Sequence, residues 1–288
     1  MKKAKGMTLK TRNGLIGIVM LLPWIMGLII FTVGPMLYSI WLSVCSVSFG
    51  LDGIQTEFIG IKWYGEAMRG DVHFMPMLLD TIKFIAFTTP MMLVASVIFA
   101  LLLNKPLKGR GFFRALFFFP VVFINGPVMN KLIGNDATAI IQPGKYAVYQ
   151  VIETLPDMIS EPLLYIFDNI VLIFWFSGIQ ILIVLAALQK ISTSLYEAAA
   201  IDGASHWQAF WKITLPSLRP MLLVVAVYTI VDLSGYSGNS ITGYIKANMT
   251  ITQKTYSYSS AMAWIYSFVV LLLLLAAFLI FRERGSKQ

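Results

Sequence analysis

Runs of twenty or more mostly apolar residues recur along this chain, and they constrain its fold more than any other feature. A helix needs roughly 20 such residues to cross a bilayer's hydrocarbon. Six segments qualify, at about 14–45, 80–103, 113–134, 163–188, 217–236 and 260–281. Hydrophobic residues make up 58% of the 288 residues and charged ones 12%. Soluble domains run nearer about 45–50% and about 25%. The fold class expected is an all-α polytopic membrane protein with six transmembrane helices. The organisation expected is a cytoplasmic tail over 1–13, a first helix over 14–45 bent at Pro23 and Pro35, and an outer loop over 46–79. A core domain over 80–281 carries a polar cytoplasmic loop at 189–216, and a short tail occupies 282–288. The first apolar run follows basic residues like a signal peptide, but it is too long for one and lacks an Ala-x-Ala-like cleavage site.

Charge orients the spans. Lysine and arginine concentrate on the cytoplasmic side. With the N-terminus inside, that side holds Lys2, Lys3, Lys5, Lys10, Arg12, Lys105, Lys108, Arg110, Arg114, Lys190, Lys212, Arg219, Arg282, Arg284 and Lys287. Against these stand only Glu197, Asp202 and Glu283. Both termini are therefore expected in the cytoplasm. The net charge of +8 reflects this topology and gives no reason to invoke nucleic acid.

Several chemistries find no support. Cys45 is the single cysteine and cannot form an internal disulfide. His73 and His206 lie far apart with no His-Glu-x-x-His pattern, so no metal site is expected. No phosphate-loop pattern Gly-x(4)-Gly-Lys-Ser/Thr occurs, so any ATP is expected on another chain.

One polar stretch stands out between the fourth and fifth apolar segments: SLYEAAAIDGASHWQAFWKITLP, Ser194–Pro216. Ser194 and Glu197 have the spacing of a capping box. Ala198, Ala199 and Ala200 are strong helix formers. Gly203 falls where a helix end takes a left-handed residue. Ser205 and Gln208 repeat the capping spacing. Trp207, Phe210 and Trp211 form a stripe at i, i+3, i+4, expected to lie on the cytoplasmic ends of the chain's own spans. Pro216 is expected to break the helix before the fifth span. The two short arms are too short to be stable alone. The small alanine face and the Glu197 carboxylate suit docking into a partner's cleft.

At these residues the chain resembles the permease subunits of bacterial ABC importers. Their EAA loop reads Glu-Ala-Ala-x(3)-Gly-x(9)-Ile-x-Leu-Pro, and Glu197, Ala198, Ala199, Gly203, Ile213, Leu215 and Pro216 match every fixed position. Leu79-Asp80-Thr81, the run Ala100–Arg114 and Phe117–Pro120 resemble the carbohydrate-uptake, maltose-type branch. So do Leu22-Pro23, Pro35-x-x-Tyr38-Ser39 and Ser259–Trp264. The resemblance covers nearly the whole chain. It departs after the fifth span, where Ser234-Gly-Tyr-Ser-Gly-Asn239 replaces the usual Gly-Gly-Pro-rich turn.

The resemblance implies a type I ABC importer permease fold in the bacterial cytoplasmic membrane. The partners it implies are a second permease of different sequence, a dimer of ABC ATPases that holds ATP and magnesium, and an extracytoplasmic solute-binding protein. Coupling to the ATPase falls to Glu197, Ala198, Ala199, Asp202, Gly203, Leu215 and Pro216. The chain itself is then non-catalytic, with no cofactor of its own and a sugar or oligosaccharide as cargo.

Polar and ionisable residues within spans mark candidate solute pathways. They are Asp232 above all, then Asn125, Asn130, Trp175, Gln180 and Trp264. Membrane interfaces also enrich Trp and Asn or Gln also join helices, so both readings stay open for the last five. Two other functions compete: the same machine carrying glycerol-phosphate or another polar solute, and a self-sufficient secondary transporter. The latter is expected to show inverted repeats or several intramembrane charges, and neither is evident.

Overall fold

In the computed structural model the chain is described for residues 9–50, 53–105, 111, 112, 115, 147–156, 158–161, 163, 164, 173, 176–236, 238–250 and 255–282. Among these, four helices are long and apolar enough to cross a membrane: Ile16–Ser43, Phe74–Asn104, His206–Gly235 and Tyr256–Phe281. A fifth passes that test only as a bent pair, Gly178–Leu188 and Thr193–Ile201, with 63° between them. The expected span at 113–134 lies outside the described residues. The chain divides into two compact units, one comprising residues up to Phe74 together with Ile245–Ile265, the other Met75–Tyr244 together with the residues from Tyr266 onward.

The first unit begins with helix α1 (Leu9–Leu28), a π-turn at Ile29–Val33 and α2 (Gly34–Ser43). Pro23 lies within regular helix, and the irregularity falls just ahead of Pro35. A proline lacks the N–H of the ladder and its ring presses on the carbonyl four residues back. The wider π-turn relieves that contact. The Gly34 N–H bonds the Ile29 carbonyl five residues back, and a Cβ on Gly34 would stand 3.2 Å from that oxygen. The span's most apolar stretch buries none of its residues within the chain. A helix apolar all round and uncovered is suited to lipid.

The segment expected as an outer loop folds further than its sequence pattern indicated. Strands β1 (Cys45–Gly50) and β2 (Gly53–Phe58) pair antiparallel, with Cys45 opposite Phe58 and Gly50 opposite Gly53. A short helix, α3 (Lys62–Gly65), and a π-turn at Glu66–Gly70 follow. These pieces are fixed by side chains. The Trp63 indole donates to the Cys45 carbonyl at 3.1 Å, and the Tyr64 and Ser43 hydroxyls are 2.8 Å apart. Buried Asp71 accepts the Tyr258 hydroxyl proton at 2.6 Å on one oxygen and the His73 and Phe74 N–H groups on the other. The Trp63 and Tyr258 rings meet edge to face at 5.5 Å.

The second unit holds most of α4 (Phe74–Asn104), α5 (Ala147–Glu153), α6 (Gly178–Leu188), α7 (Thr193–Ile201), α8 (His206–Ala209) and α9 (Leu215–Gly235). The expected loop at 237–259 contains a further helix, α10 (Ser240–Asn248), and α11 (Thr255–Phe281) closes the fold. Ile85, Met92, Ile181, Val184, Leu218 and Val225 are among the residues that form one apolar core. Several polar groups inside this unit are paired between segments. Thr81 donates to the Asn239 carboxamide oxygen at 3.2 Å, Asn239 donates to the Tyr266 hydroxyl at 3.1 Å, and Tyr266 donates to the Ser234 carbonyl at 2.9 Å.

Asp71→Ala removes the acceptor used by the Tyr258 hydroxyl and by the His73 and Phe74 N–H groups, and a hydrogen bond lost in a buried setting costs about 1–3 kcal/mol. Thermal unfolding of the detergent-solubilised protein is expected to move clearly to lower temperature, with a smaller drop for Tyr258→Phe.

Candidate functional site

The polar stretch between α6 and α9 forms two braced arms. The first, α7, is capped two residues earlier than the sequence spacing indicates. Ser192, extended at ψ 133°, is the cap, and its hydroxyl accepts from the Ser194 N–H at 3.3 Å. The expected capping box of Ser194 and Glu197 is therefore not formed. Glu197 sits mid-helix and exposed, and makes no hydrogen bond or ion pair among the described residues. Ala198 is exposed beside it and Ala199 is half-buried. The arm ends in a Schellman motif. The Ala204 N–H bonds the Ala199 carbonyl at 2.9 Å, and the Gly203 N–H bonds the Ala200 carbonyl at 3.1 Å. This closure needs a left-handed residue, and Gly203 has φ +79° with no atom near its missing Cβ. Asp202, exposed, is the C-cap residue immediately before it.

The second arm opens with the expected capping box. Ser205 accepts from the Gln208 N–H at 3.3 Å, and Gln208 accepts from the Ser205 N–H at 2.8 Å. Pro216, expected to break the chain before the fifth span, does not. A π-turn at Phe210–Thr214, closed by the Leu215 N–H on the Phe210 carbonyl, leads directly into α9, so helix runs from His206 to Gly235. A π-turn adds one residue to the helix, a phase shift of about 100° at 3.6 residues per turn. In a regular helix Trp211 would stand seven residues before fully buried Leu218, on the same face. The added residue turns it away and puts Phe210 there instead. This corrects the expectation for the aromatic stripe. Phe210 lies against the core, while Trp207 is 69% and Trp211 50% exposed.

The arms are tied to each other and to the spans. The Tyr196 hydroxyl on α7 lies 2.8 Å from the Thr214 hydroxyl at the foot of α9. Arg219 reaches from α9 to the C-terminal carbonyls of α11, donating to Ile280 at 3.3 Å and Arg282 at 3.5 Å. Leu215 is half-buried, Pro216 is exposed, and Thr214 between the arms is buried. A cleft of about 730 Å³ opens between the arms and the ends of α4 and α6, lined by Asn104, Gln189, Tyr196, His206 and Phe210 among others. Among the described residues the arrangement holds no catalytic constellation. It is a braced pair of arms with an exposed carboxylate and small residues on the first.

The solute-path candidates are dispersed. Asp232 is half-buried near the end of α9. Gln180 is fully buried on α6 and donates to Thr229 of α9 at 3.2 Å, the geometry of a helix-joining side chain. Trp264, in the first unit, donates to the Ser39 hydroxyl at 3.1 Å. Asn125, Asn130 and Trp175 lie outside the described residues. Sequence reasoning missed Tyr196, Thr214, Asn239 and Arg219, whose partners are 18 to 158 residues away. Nothing in a linear pattern flags such pairs.

A mostly helical chain with long apolar spans and a braced polar segment between two of them has the build of a membrane transport subunit. The chain belongs to the family of binding-protein-dependent transport system inner membrane components, whose family model matches residues 73–282. It is a multi-pass protein of the cytoplasmic membrane. It is 28% identical to the probable ABC transporter permease protein YesP of Bacillus subtilis, over 96% of this chain and 93% of that one. It is also 28% identical to the trehalose/maltose transport system permease protein MalF of Thermococcus litoralis, over 78% of this chain and 75% of that one. Its fold is that of a chain in the crystal structure of a bacterial ABC transporter involved in the import of the acidic polysaccharide alginate. The two match with a TM-score of 0.62 at 20% identity, over 96% of this chain and 98% of the other.

Tyr196→Phe removes the brace between the arms, a hydrogen bond worth about 1 kcal/mol. Amide hydrogen exchange through the His206–Leu215 turn is expected to quicken about fivefold. An unchanged rate would show that the arms are held by backbone capping alone.

Proposed function

We propose that this chain is the permease subunit through which an ATP-driven importer moves a sugar or oligosaccharide inward. The observation that carries the reading is the Glu197–Gly203 corner: largely exposed, closed at both ends by caps, braced to a span, and with no partner for its carboxylate among the described residues. A rigid pair of arms transmits a displacement that a loose loop would absorb. The family supports a transport component, and the maltose-type relatives support a carbohydrate cargo. In this reading the chain crosses the membrane six times with both termini in the cytoplasm. The apolar segment at 113–134, third in chain order, supplies the remaining span.

The corner then docks on an ABC ATPase. Glu197, Ala198, Ala199, Asp202 and Gly203 form the contact, while Leu215 and Pro216 carry the motion into α9. ATP and magnesium bind and react on that partner, and the chain needs no cofactor of its own. A second permease completes the pathway and an extracytoplasmic protein delivers the solute. Asp232 is the foremost candidate for solute contact. Its carboxylate accepts hydrogen bonds from hydroxyl groups and repels a phosphate cargo, which favours a neutral sugar over glycerol-phosphate. Gln180, Trp264, Asn125, Asn130 and Trp175 follow it.

Gly203→Val places a β-branched residue at a left-handed φ, a conformation such residues do not tolerate. The variant is expected to insert in the membrane at normal levels and to lose uptake. Uptake at the wild-type rate would sink the coupling role. Affinity purification of the tagged chain is expected to recover an ABC ATPase and a second permease. Recovery of a chain that transports unaided after reconstitution would mean a self-sufficient transporter. Binding assays on the co-encoded binding protein decide between sugars and glycerol-phosphate.

A further inference from the structure

The turn that follows α9, Ser234–Asn239, is where the chain departs from the maltose-type pattern, and the transport reading gives it no role. Its two ends are held by one side chain. The Tyr266 hydroxyl of α11 donates to the Ser234 carbonyl at 2.9 Å and accepts from the Asn239 carboxamide at 3.1 Å. Within the turn, the Asn239 N–H bonds the Tyr236 carbonyl at 3.0 Å. Asn239 also accepts from Thr81 of α4 at 3.2 Å. The turn is thus fastened to two spans at once.

The residue it presents is Tyr236. The ring meets that of Phe176 edge to face at 5.1 Å, with 86° between the planes. Its hydroxyl end lies on Gly238, where a Cβ would stand 2.5 Å from that oxygen and from two ring carbons. The bare glycine makes room for the ring. Tyr236 is only half-buried, and its hydroxyl has no hydrogen-bond partner among the described residues.

Asp232 stands four residues earlier. Residues four apart share a helix face and lie about 6 Å apart along the axis. Asp232 is likewise half-buried, with no hydrogen bond or ion pair among the described residues. Gln180 and Thr229, by contrast, are spent on each other, as are Thr81, Asn239 and Tyr266. A carboxylate within an apolar span is costly against lipid and faces the bundle interior or a water-filled cavity. The face that Asp232 shares with Tyr236 therefore borders polar space. Sites for small molecules combine aromatic walls with a few placed polar groups. A sugar offers both counterparts, apolar C–H faces and hydroxyl groups.

We propose that Tyr236 is a specificity-determining contact of the solute path: the open part of its ring packs on the C–H face of a sugar whose hydroxyl bonds Asp232. This rests on the carbohydrate reading above and on Asp232 as a solute contact. The fastened turn holds the ring in place before the solute arrives, so little freedom is lost on binding.

Two measurements on the assembled importer in proteoliposomes test this. In a Cys45→Ser chain, Tyr236→Cys is expected to react with the membrane-impermeant reagent sulfonatoethyl methanethiosulfonate in the nucleotide-free or the vanadate-trapped state. Leu233→Cys, at a position buried in the core, is expected not to react. Uptake of maltose and of trehalose is then measured beside the ATPase rate that the loaded binding protein stimulates. Tyr236→Ala is expected to lower uptake about tenfold, the size of an aromatic contact, at an ATPase rate near that of the wild type. Gly238→Ala, which displaces the ring without altering it, is expected to fall in between. A merely structural role would lower both rates together. No reaction at position 236 in either state, or unchanged uptake by Tyr236→Ala, would overturn the proposal. Import of neither sugar by the wild type counts against the carbohydrate reading instead, and the thiol reaction then decides whether Tyr236 lines the path.

Discussion

Inside hydrocarbon a peptide N–H or C=O has no water to turn to and must be satisfied by the chain itself. The rest of this structure follows from how it meets that requirement. Regular helix does so along most of each span. The difficulty lies at prolines, which remove a donor and crowd the carbonyl one turn back. Ahead of Pro35 and of Pro216 the chain answers in the same way. The bonds Gly34 N–H to Ile29 O and Leu215 N–H to Phe210 O each skip to a carbonyl five residues back. The ladder continues, the ring is accommodated, and one residue is added to the turn.

That added residue has consequences beyond the backbone. At Phe210–Thr214 it changes which aromatic faces the core, placing Phe210 inward and leaving Trp207 and Trp211 outward. It also makes the second arm continuous with the fifth span, so a push on the arm is a push on the helix. The first arm is secured separately, by the Ser192 cap, the Gly203 corner and the Tyr196–Thr214 contact. Arg219 carries the same connection to the end of the last span. Each interaction is worth little alone. Together they leave few internal joints in which a displacement would be lost.

Polar side chains within and between the helices serve cohesion. Asn239 joins Thr81, Tyr266 and the Ile241 N–H through one carboxamide, and Gln180 joins two helices through Thr229. Such contacts average about 0.6 kcal/mol in membranes, so they set register more than they add stability. Asp232, half-buried and ionisable, stands apart from this group.

Much was legible in the sequence because the governing signals are local or compositional. Apolar run length marks the spans. Gly203 marks the corner between the two arms, and it and the Ser205–Gln208 box sit where their φ preference and donor geometry require. Legibility ended wherever the outcome depended on contact between distant segments. The β1–β2 hairpin, the buried Asp71–Tyr258 pair and the Arg219 tether need partners that no spacing names. The phase of the tryptophans was undecided too, because an α-turn and a π-turn over the same residues read alike and differ only in how the helix lies on its neighbours. The sequence alone thus determined that the chain crosses a membrane and carries a capped polar corner. Tertiary structure decided which faces are covered, since burial of a side chain is a property of its neighbours and not of the residue.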